Sequence, residues 1–254
     1  MTTALLQTTY FGPVQWYQKL KRYDHCVIEQ YDSYQKQTYR NRCVIATANG
    51  LQVLTVPVDH SPLTIDHVQC KDLRISDHNQ WRRVHWNALQ SAYSESPFFE
   101  YYADDIRPFF ERKYEFLIDF NEAIRQKMCE LLDIETSVSY SSGFMVQGSG
   151  FWVQGSGFRV QGSGFMVQGS WFMVHGSWFR VQGSGFMVQG SGFRVQGSGV
   201  KDFREVIHAK HPQDDPDFQP RSYWQVFQHR YGFQPNLSIL DLLFCMGPEA
   251  VFYL

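Results

Sequence analysis

Residues 143–198 consist of one seven-residue unit, GFxVQGS, repeated eight times without interruption. The third position of the unit is Met, Trp or Arg, as in Met145, Trp152 and Arg159, and the first is Gly or Trp. Met, Trp and Arg share no side-chain chemistry, but their codons can differ by only one or two bases. A fixed period of this kind has to be recognised before any fold is assigned. We infer that a short DNA segment was duplicated in tandem and that the copies then drifted.

The composition of the unit excludes a coiled coil, because two glycines in most units disfavour a helix. Two conformations remain open. A β-meander would join short strands such as 157–161 through Gly-Ser turns, with Phe158 and Val160 on one face. Disorder is the alternative, because Gly and Ser favour it. An exposed face of Phe and Val, with Trp171 and Trp178, would also allow the repeat to self-associate.

The 198 residues outside the eight units suffice for one domain with a substantial core. We expect residues 1–142 and 200–254 to form that domain, with 143–199 as an insertion. The net charge of −2 provides no basic surface, so no nucleic-acid partner is indicated. Five scattered cysteines without CxxC spacing indicate reduced thiols and a cytoplasmic protein, with neither a disulfide framework nor a zinc site. No signal peptide or transmembrane segment is recognisable.

The start of the chain predicts a βαβ unit. Ala4–Gln7 and His25–Gln30 are short apolar runs, and between them Gly12-Pro13 introduces a segment with helical spacing. Parallel strands place ligands beyond their carboxyl ends. Four residues there are candidates for the site: Gln7, Tyr10 and Gly12 for substrate binding, and Glu29 as a catalytic base. Backbone amides of the helix start at 12–14 would suit an anion.

The segment 34–42, YQKQTYRNR, predicts a further strand. Period-two alternation would place Lys36, Arg40 and Arg42 on one side and Asn41 on the other. These residues could bind the anionic end of a substrate, because guanidinium groups bind phosphate and carboxylate in pairs of hydrogen bonds. A solvated, charged edge strand is an equally good interpretation. Asn49-Gly50 then predicts a hairpin between 43–48 and 51–58.

Helices are predicted over 76–93 and 117–132, with a final helix capped by Ser238. His85, beside Trp81, is more simply an interior histidine than a catalytic one. Asp241 occupies the third position of a capping box, and this structural role accounts for a carboxylate at the start of the helix. A carboxylate there could also act as a catalytic acid or base. The expected fold is therefore α/β, with a mixed sheet that contains the βαβ unit and the hairpin and is covered by helices.

Several stretches resemble the WbqC-like protein family: LLQTTYFGPVQWYQKL, DHCVIEQYDSYQKQTYRNRCVI, NGLQVLTVPV, WRRVHWNALQSAYSESPFFEYY and YWQVFQHRYGFQPNLSILDLLFCMGPEAVFYL. The family is found among O-antigen and other surface-polysaccharide genes, and a glycine transferase has been proposed within it. The resemblance therefore implies an enzyme that transfers an amino-acid or acyl group to a sugar. No motif in the sequence indicates a cofactor or a metal. Glu29 or His85 would be the base, and Lys36, Arg40 and Arg42 would bind an anionic donor.

Two other functions are compatible with the sequence. The opening strand, turn, helix and strand are similar to nucleotidylyltransferases of the HIGH-motif class, but VQWY at 14–17 lacks that motif's histidines. The second function is that of a non-catalytic scaffold protein that assembles through the repeat. His208 and His211 near Asp214 and Asp215 are read as part of a loop and not as a metal site.

Overall fold

The computed structural model describes residues 2–59, 68–142 and 200–254, together with the backbone of five strands between 158 and 189. The predicted βαβ unit is confirmed. Strand β1 (Thr3–Gln7) and strand β2 (His25–Glu29) pair in parallel, with Gln7 opposite Glu29, and helix α1 (Val14–Arg22) connects them. Trp16, Tyr17 and Leu20 of α1 are buried against the sheet.

Two short strands complete this sheet, and neither has a recognisable sequence pattern. Strand β5 (Ser137–Tyr140) pairs with β2, and strand β11 (Val200–Asp202) pairs with β1. The order is β11-β1-β2-β5 and every pairing is parallel. The chain adds strands in one direction from β1 to β5 and then returns to the other side of β1. Ligands in open α/β sheets bind where the strand order reverses in this way, beyond the carboxyl ends.

The predicted hairpin is also confirmed, but it forms a separate two-stranded antiparallel sheet. Strands β3 (Arg42–Thr47) and β4 (Gly50–Thr55) meet at the Asn49-Gly50 turn, where Gly50 has φ of 99°. A positive φ of this size favours glycine because it has no Cβ. The fold class is therefore α/β, as expected, with a purely parallel four-stranded sheet beside the hairpin.

Helices cover the sheet and the hairpin. They are α2 (Trp81–Tyr93), α3 (Phe99–Ile106), α4 (Pro108–Glu111), α5 (Leu117–Leu131), α6 (Gln228–Tyr231) and α7 (Ile239–Met246), with 3-10 turns at Cys70–Asp72, His78–Gln80 and Gly247–Tyr253. The helix predicted from residue 76 begins at Trp81, because Asn79 and Gln80 have left-handed backbone angles. Among the described residues, no helix has the length and apolar character needed to cross a membrane.

The two faces of the parallel sheet differ. Ala4, Leu6, Cys26 and Ile28 point into the main core, which contains α1, α5 and α7. The opposite face carries a smaller apolar cluster of Leu5, Val27 and Val200. Polar residues follow on this second face towards the carboxyl ends of the strands, because Gln7 and Glu29 continue the alternation of Leu5 and Val27.

The segments before and after the repeat make extensive contact. Apart from the β1–β11 pairing, the Val14 amide donates to the Leu237 carbonyl over 3.0 Å. The Ser238 hydroxyl donates to the Phe11 carbonyl over 2.8 Å. Residues that are distant in sequence thus share hydrogen bonds buried from solvent.

Inside the repeat the structure describes five backbone strands: β6 (Phe158–Gln161), β7 (Met166–Gln168), β8 (Trp171–His175), β9 (Trp178–Gln182) and β10 (Met187–Gln189). The side chains and the segments between these strands lie outside the described residues. The choice between a meander and disorder therefore stays a prediction, as does self-association through Trp171 and Trp178.

Candidate functional site

The carboxyl ends of the four parallel strands bring polar residues together. Glu29 ends β2, Ser141 follows β5, and Asp202 ends β11. The loop after β2 adds Asp32 and Arg40. Since all four strands run in the same direction, these ends meet at one edge of the sheet.

A buried ion network lies at this edge, and Arg204 is its centre. The Arg204 guanidinium lies 2.8 Å from Asp202, 3.2 Å from Asp32 and 3.5 Å from Glu29. Asp32 also accepts a hydrogen bond from Arg40 over 3.1 Å. Three carboxylates thus face two guanidinium groups. Burial raises the pKa of Asp32, although Arg204 and Arg40 oppose that shift.

The Glu29 carboxylate is held by several donors. One oxygen accepts from the Ser141 hydroxyl and from the Tyr31 backbone amide, each over 2.8 Å. The side chain is fully buried. Glu29 therefore ties together β2, the end of β5 and the segment after β11, which gives the edge a rigid charged floor.

Gln7 and Asn121 extend this floor with amides. The Gln7 side-chain amide donates to the Ile207 carbonyl over 2.5 Å, and Asn121 donates to the Thr8 hydroxyl and to the Arg40 carbonyl. Among the described residues, neither side-chain carbonyl oxygen, of Gln7 or of Asn121, has a hydrogen-bond partner. The site thus keeps two buried acceptors near the end of β1.

An open cleft of about 380 Å³ lies between the first turns of α5 and the ends of β2 and β5. Gln30 connects the cleft to the network, because its amide donates to the carbonyl of Ser141, whose hydroxyl donates to Glu29. Seven residues line it: Gln30, Ile118, Asp119, Glu122, Ala123, Gln126 and Tyr140. A cleft of this size at the carboxyl edge, lined by four polar side chains, a tyrosine and two apolar side chains, is a candidate small-molecule site.

Glu122 organises one wall of the cleft. It accepts from the Arg125 guanidinium over 2.7 and 2.5 Å and from the Gln126 amide over 2.8 Å. Burial raises the pKa of Glu122, but hydrogen bonds from Arg125 and Tyr140 outweigh it and the net shift is downward. Burial and the Glu122 contact raise the pKa of Tyr140. At neutral pH the wall therefore holds a carboxylate, a guanidinium and an un-ionised phenol.

The sequence pattern of the WbqC-like protein family matches residues 7–154, which is more than half of the chain. This protein belongs to the WbqC-like protein family. The chain is also 30% identical over 139 residues to the uncharacterized protein Rv1507c of Mycobacterium tuberculosis. That match covers 54% of this chain and 59% of the relative, so it spans less than two thirds of the relative's length. No solved structure matches the chain.

The WbqC-like chain places two predicted site residues in its interior. The Tyr10 hydroxyl lies 2.9 Å from Nδ1 of His85, and both side chains are buried among Trp81, Phe110 and Phe120. Burial lowers the pKa of His85 to about 4. The interpretation of His85 as an interior histidine thus fits its surroundings, and Tyr10 supplies its partner.

The start of α1 has fewer free amides than the expected anion site would use. The Val14 amide donates to the Leu237 carbonyl and the Gln15 amide donates to the Asn236 side chain over 2.9 Å. These two amides are therefore not available to an anion, and Pro13 has no amide hydrogen to donate. Gly12 instead allows a close approach, because a Cβ there would lie 2.5 Å from the Thr9 hydroxyl oxygen.

The predicted strand over 34–42 is also wrong, because this segment is a loop. The expected alternation fails with it. Lys36 is exposed, but Arg40 is buried and paired with Asp32 just before the segment. The Asn41 amide donates to the Val56 carbonyl over 2.9 Å. Arg42 begins β3, and its buried Nε has no hydrogen-bond partner among the described residues.

Asp241 lies away from the carboxyl edge, inside the core. Its carboxylate accepts hydrogen bonds from Tyr93, Tyr223 and Gln225 over 2.7–2.9 Å. Burial raises the pKa of Asp241 and these donors oppose the shift. Ser238 does cap α7, through the Leu240 amide, but the capping box is wrong because the Ser238 amide donates to the Val44 carbonyl.

Sequence reasoning missed Arg204, Asp32, Asp202, Glu122 and Arg125. No motif marks Arg204, because β11 is only three residues long and follows the repeat directly. The (i, i+3) spacing of Glu122 and Arg125 was a usable signal for a helical ion pair.

Within the described part of the chain, no group of three or more His, Cys, Asp or Glu side chains could hold a metal ion. His208 accepts from the Lys210 and His211 amides and so closes its own turn.

Proposed function

We propose that this WbqC-like protein is an enzyme that transfers an amino-acid group such as glycine, or an acyl group, to a sugar during surface-polysaccharide (O-antigen) synthesis. Family membership supports the biological setting. The observation that carries the proposal is the cleft at the carboxyl edge of the parallel sheet, which Gln30 links through Ser141 to the buried Glu29. Five free, buried cysteines support a cytoplasmic location.

The reaction requires a nucleophile, an activated donor and a proton acceptor. A sugar amine or hydroxyl attacks the carbonyl carbon of the donor, a new C–N or C–O bond forms, and the bond from that carbon to the leaving group breaks. The proton of the nucleophile passes to a base. Asp119 is an exposed carboxylate on the cleft and can take this proton.

Glu29 has a different role in this proposal, because Ser141, Tyr31 and Arg204 already occupy its oxygens. We assign it as a positioning residue that fixes Ser141, whose carbonyl in turn holds the Gln30 side chain on the cleft. Lys36 is exposed on the loop that follows β2 and can attract the anionic end of the donor, whereas the charge of Arg40 is compensated by Asp32.

The test is a transfer assay with full-length protein. Acetyl-CoA, or glycine with ATP, is supplied as the donor, methyl glycosides of neutral and amino sugars are supplied as acceptors, and products are identified by mass spectrometry. We expect a product one acyl or glycyl group heavier than the acceptor. Asp119→Asn and Lys36→Ala should reduce its rate, whereas Arg22→Ala, on the exposed end of α1, should not. Absence of product from every combination would refute transfer with these donors.

A further inference from the structure

The walls of the α5–β5 cleft carry more negative than positive charge. Asp119 and Glu122 are carboxylates, and the neighbouring cation, Arg125, is paired with Glu122 through two hydrogen bonds. The charge of Asp119 has no ion-pair partner among the described residues. A cleft with this balance repels phosphate and carboxylate groups and favours a neutral or positively charged ligand.

The hydrogen-bonding groups of the cleft are mainly acceptors. The Gln30 amide nitrogen uses one N–H on the Ser141 carbonyl and the Gln126 amide nitrogen uses one on Glu122, so each amide keeps a single N–H for a ligand. Their carbonyl oxygens remain available, as do the oxygens of Asp119, within the described structure. Such a wall suits a ligand rich in donors, such as hydroxyl and ammonium groups.

The remaining walls fit the body of a sugar ring. Ile118 and Ala123 are apolar, and the half-buried Tyr140 combines an aromatic ring with a phenol that contacts Glu122. A volume of about 380 Å³ is at the small end of ligand sites, which is appropriate for one monosaccharide unit.

We propose that this cleft binds an amino sugar, with its ammonium group against Asp119 and its hydroxyl groups donating to Gln30 and Gln126. Its role as the acceptor rests on the proposed function, but the binding itself does not. Charge distinguishes an amino sugar from other sugars at this cleft. A neutral sugar lacks the contact with Asp119, and a sugar phosphate is repelled.

Binding is measured on the full-length protein by calorimetry or ligand-observed NMR, with methyl glucosaminide, methyl glucoside and glucosamine 6-phosphate as probes. Methyl glucosaminide should bind about three- to fivefold more tightly than methyl glucoside, because a charge pair with an exposed carboxylate such as Asp119 is worth about that factor. Asp119→Asn should remove this difference and leave the affinity for the glucoside unchanged. Glu130→Gln, on the same helix but outside the cleft, should bind as the wild type does.

Tyr140→Phe provides an independent variant, because it keeps the ring and removes the phenol that holds Glu122 in place. It should weaken both neutral and amino sugars. Equal affinity for the glucosaminide and the glucoside, or unchanged discrimination in Asp119→Asn, would overturn the proposal, as would no binding of either sugar. Selective binding of the amino sugar without any transfer would overturn the proposed reaction, but it would still support this binding site.

Discussion

The Arg204 guanidinium lies 3.5 Å from the Glu29 carboxylate, although 175 residues separate them along the chain. Both side chains are almost fully buried, with exposed fractions of 5% and 0%. The contact therefore links the segment after the repeat to the central strand β2 through a low-dielectric interaction. It also places a residue from outside the family match at the centre of the carboxyl edge.

Replacing Arg204 should destabilise the fold strongly. Arg204→Ala leaves the buried Glu29 and the half-buried Asp202 without their shared cation, and breaking a buried pair in this way costs about 3–5 kcal/mol. Urea unfolding measures the loss. The control is Arg22→Ala, since Arg22 is 54% exposed and its pair with Asp217 contributes about 1 kcal/mol or less. Similar losses in the two variants would show that the network contributes little to stability.

His85 should make the protein less stable in mild acid. Its pKa is depressed from 6.5 to about 4 in the folded state, so the folded protein binds fewer protons than the unfolded chain between these values. The stabilisation is complete above pH 6.5 and is lost as the pH falls through about 4, by about 3 kcal/mol in total. NMR titration should show a neutral His85 ring from pH 6.5 down to about pH 5 and its protonation near pH 4. Protonation of His85 near pH 6.5 would contradict its assignment to the interior.

Asp241 should have the opposite effect and make the protein less stable as the pH rises. Its pKa is raised above 3.8 by burial, so its contribution to stability is complete below pH 3.8 and is lost as the pH rises through the folded-state value. The difference in unfolding free energy between wild type and Asp241→Asn should therefore shift against the wild type as the pH increases. Asp104→Asn, at an exposed carboxylate, is the control. A difference that is independent of pH would mean that Asp241 does not titrate abnormally.

The elements that the sequence predicted well are those with long or distinctive patterns. The βαβ unit, the Asn49-Gly50 hairpin and the helix over 117–132 depend on local periodicity and turn chemistry, which the residues carry themselves. Strands β5 and β11 have four and three residues, so they show no usable alternation and exist because β2 and β1 offer them partners.

The site was predictable only in part, because its key contacts are between distant segments. The rule for parallel sheets pointed to Glu29 and Gln7 at the carboxyl edge, and both lie there. Charge alone could not reveal that Arg40 is already paired, because Asp32 lies just outside the segment that suggested a strand. The amides at the start of α1 appeared free for a similar reason: Leu237 and Asn236, which occupy them, come from the far end of the chain.

The connection between β5 and β11 should have a minimum length. These strands are at opposite edges of the sheet, three strand spacings or about 14 Å apart, and a parallel connection must also return along the strands. Deleting residues 143–198 leaves Ser141, Ser142 and Gly199, which are too few to span this distance. We expect this deletion to abolish cooperative melting, measured by circular dichroism.

A flexible linker in place of the repeat should restore cooperative melting. A Gly/Ser linker of about 16 residues in place of 143–198 exceeds the dozen or so residues that a parallel crossover needs. If residues 1–142 and 200–254 form one domain, this variant should melt in a single transition close to that of the wild type. Loss of cooperativity in the linker variant would show that the domain depends on the repeat sequence itself.

The opposite placement of β5 and β11 also bears on how the gene can change. Replication slippage that gains or loses one unit alters the tether by seven residues and preserves the reading frame, so the two edge strands still reach their partners. The number of repeat units therefore has a minimum, which the width of the four-stranded sheet sets. The geometry of the sheet sets no comparable maximum. Individuals of one lineage that carry different numbers of units would be expected to share the same carboxyl-edge chemistry.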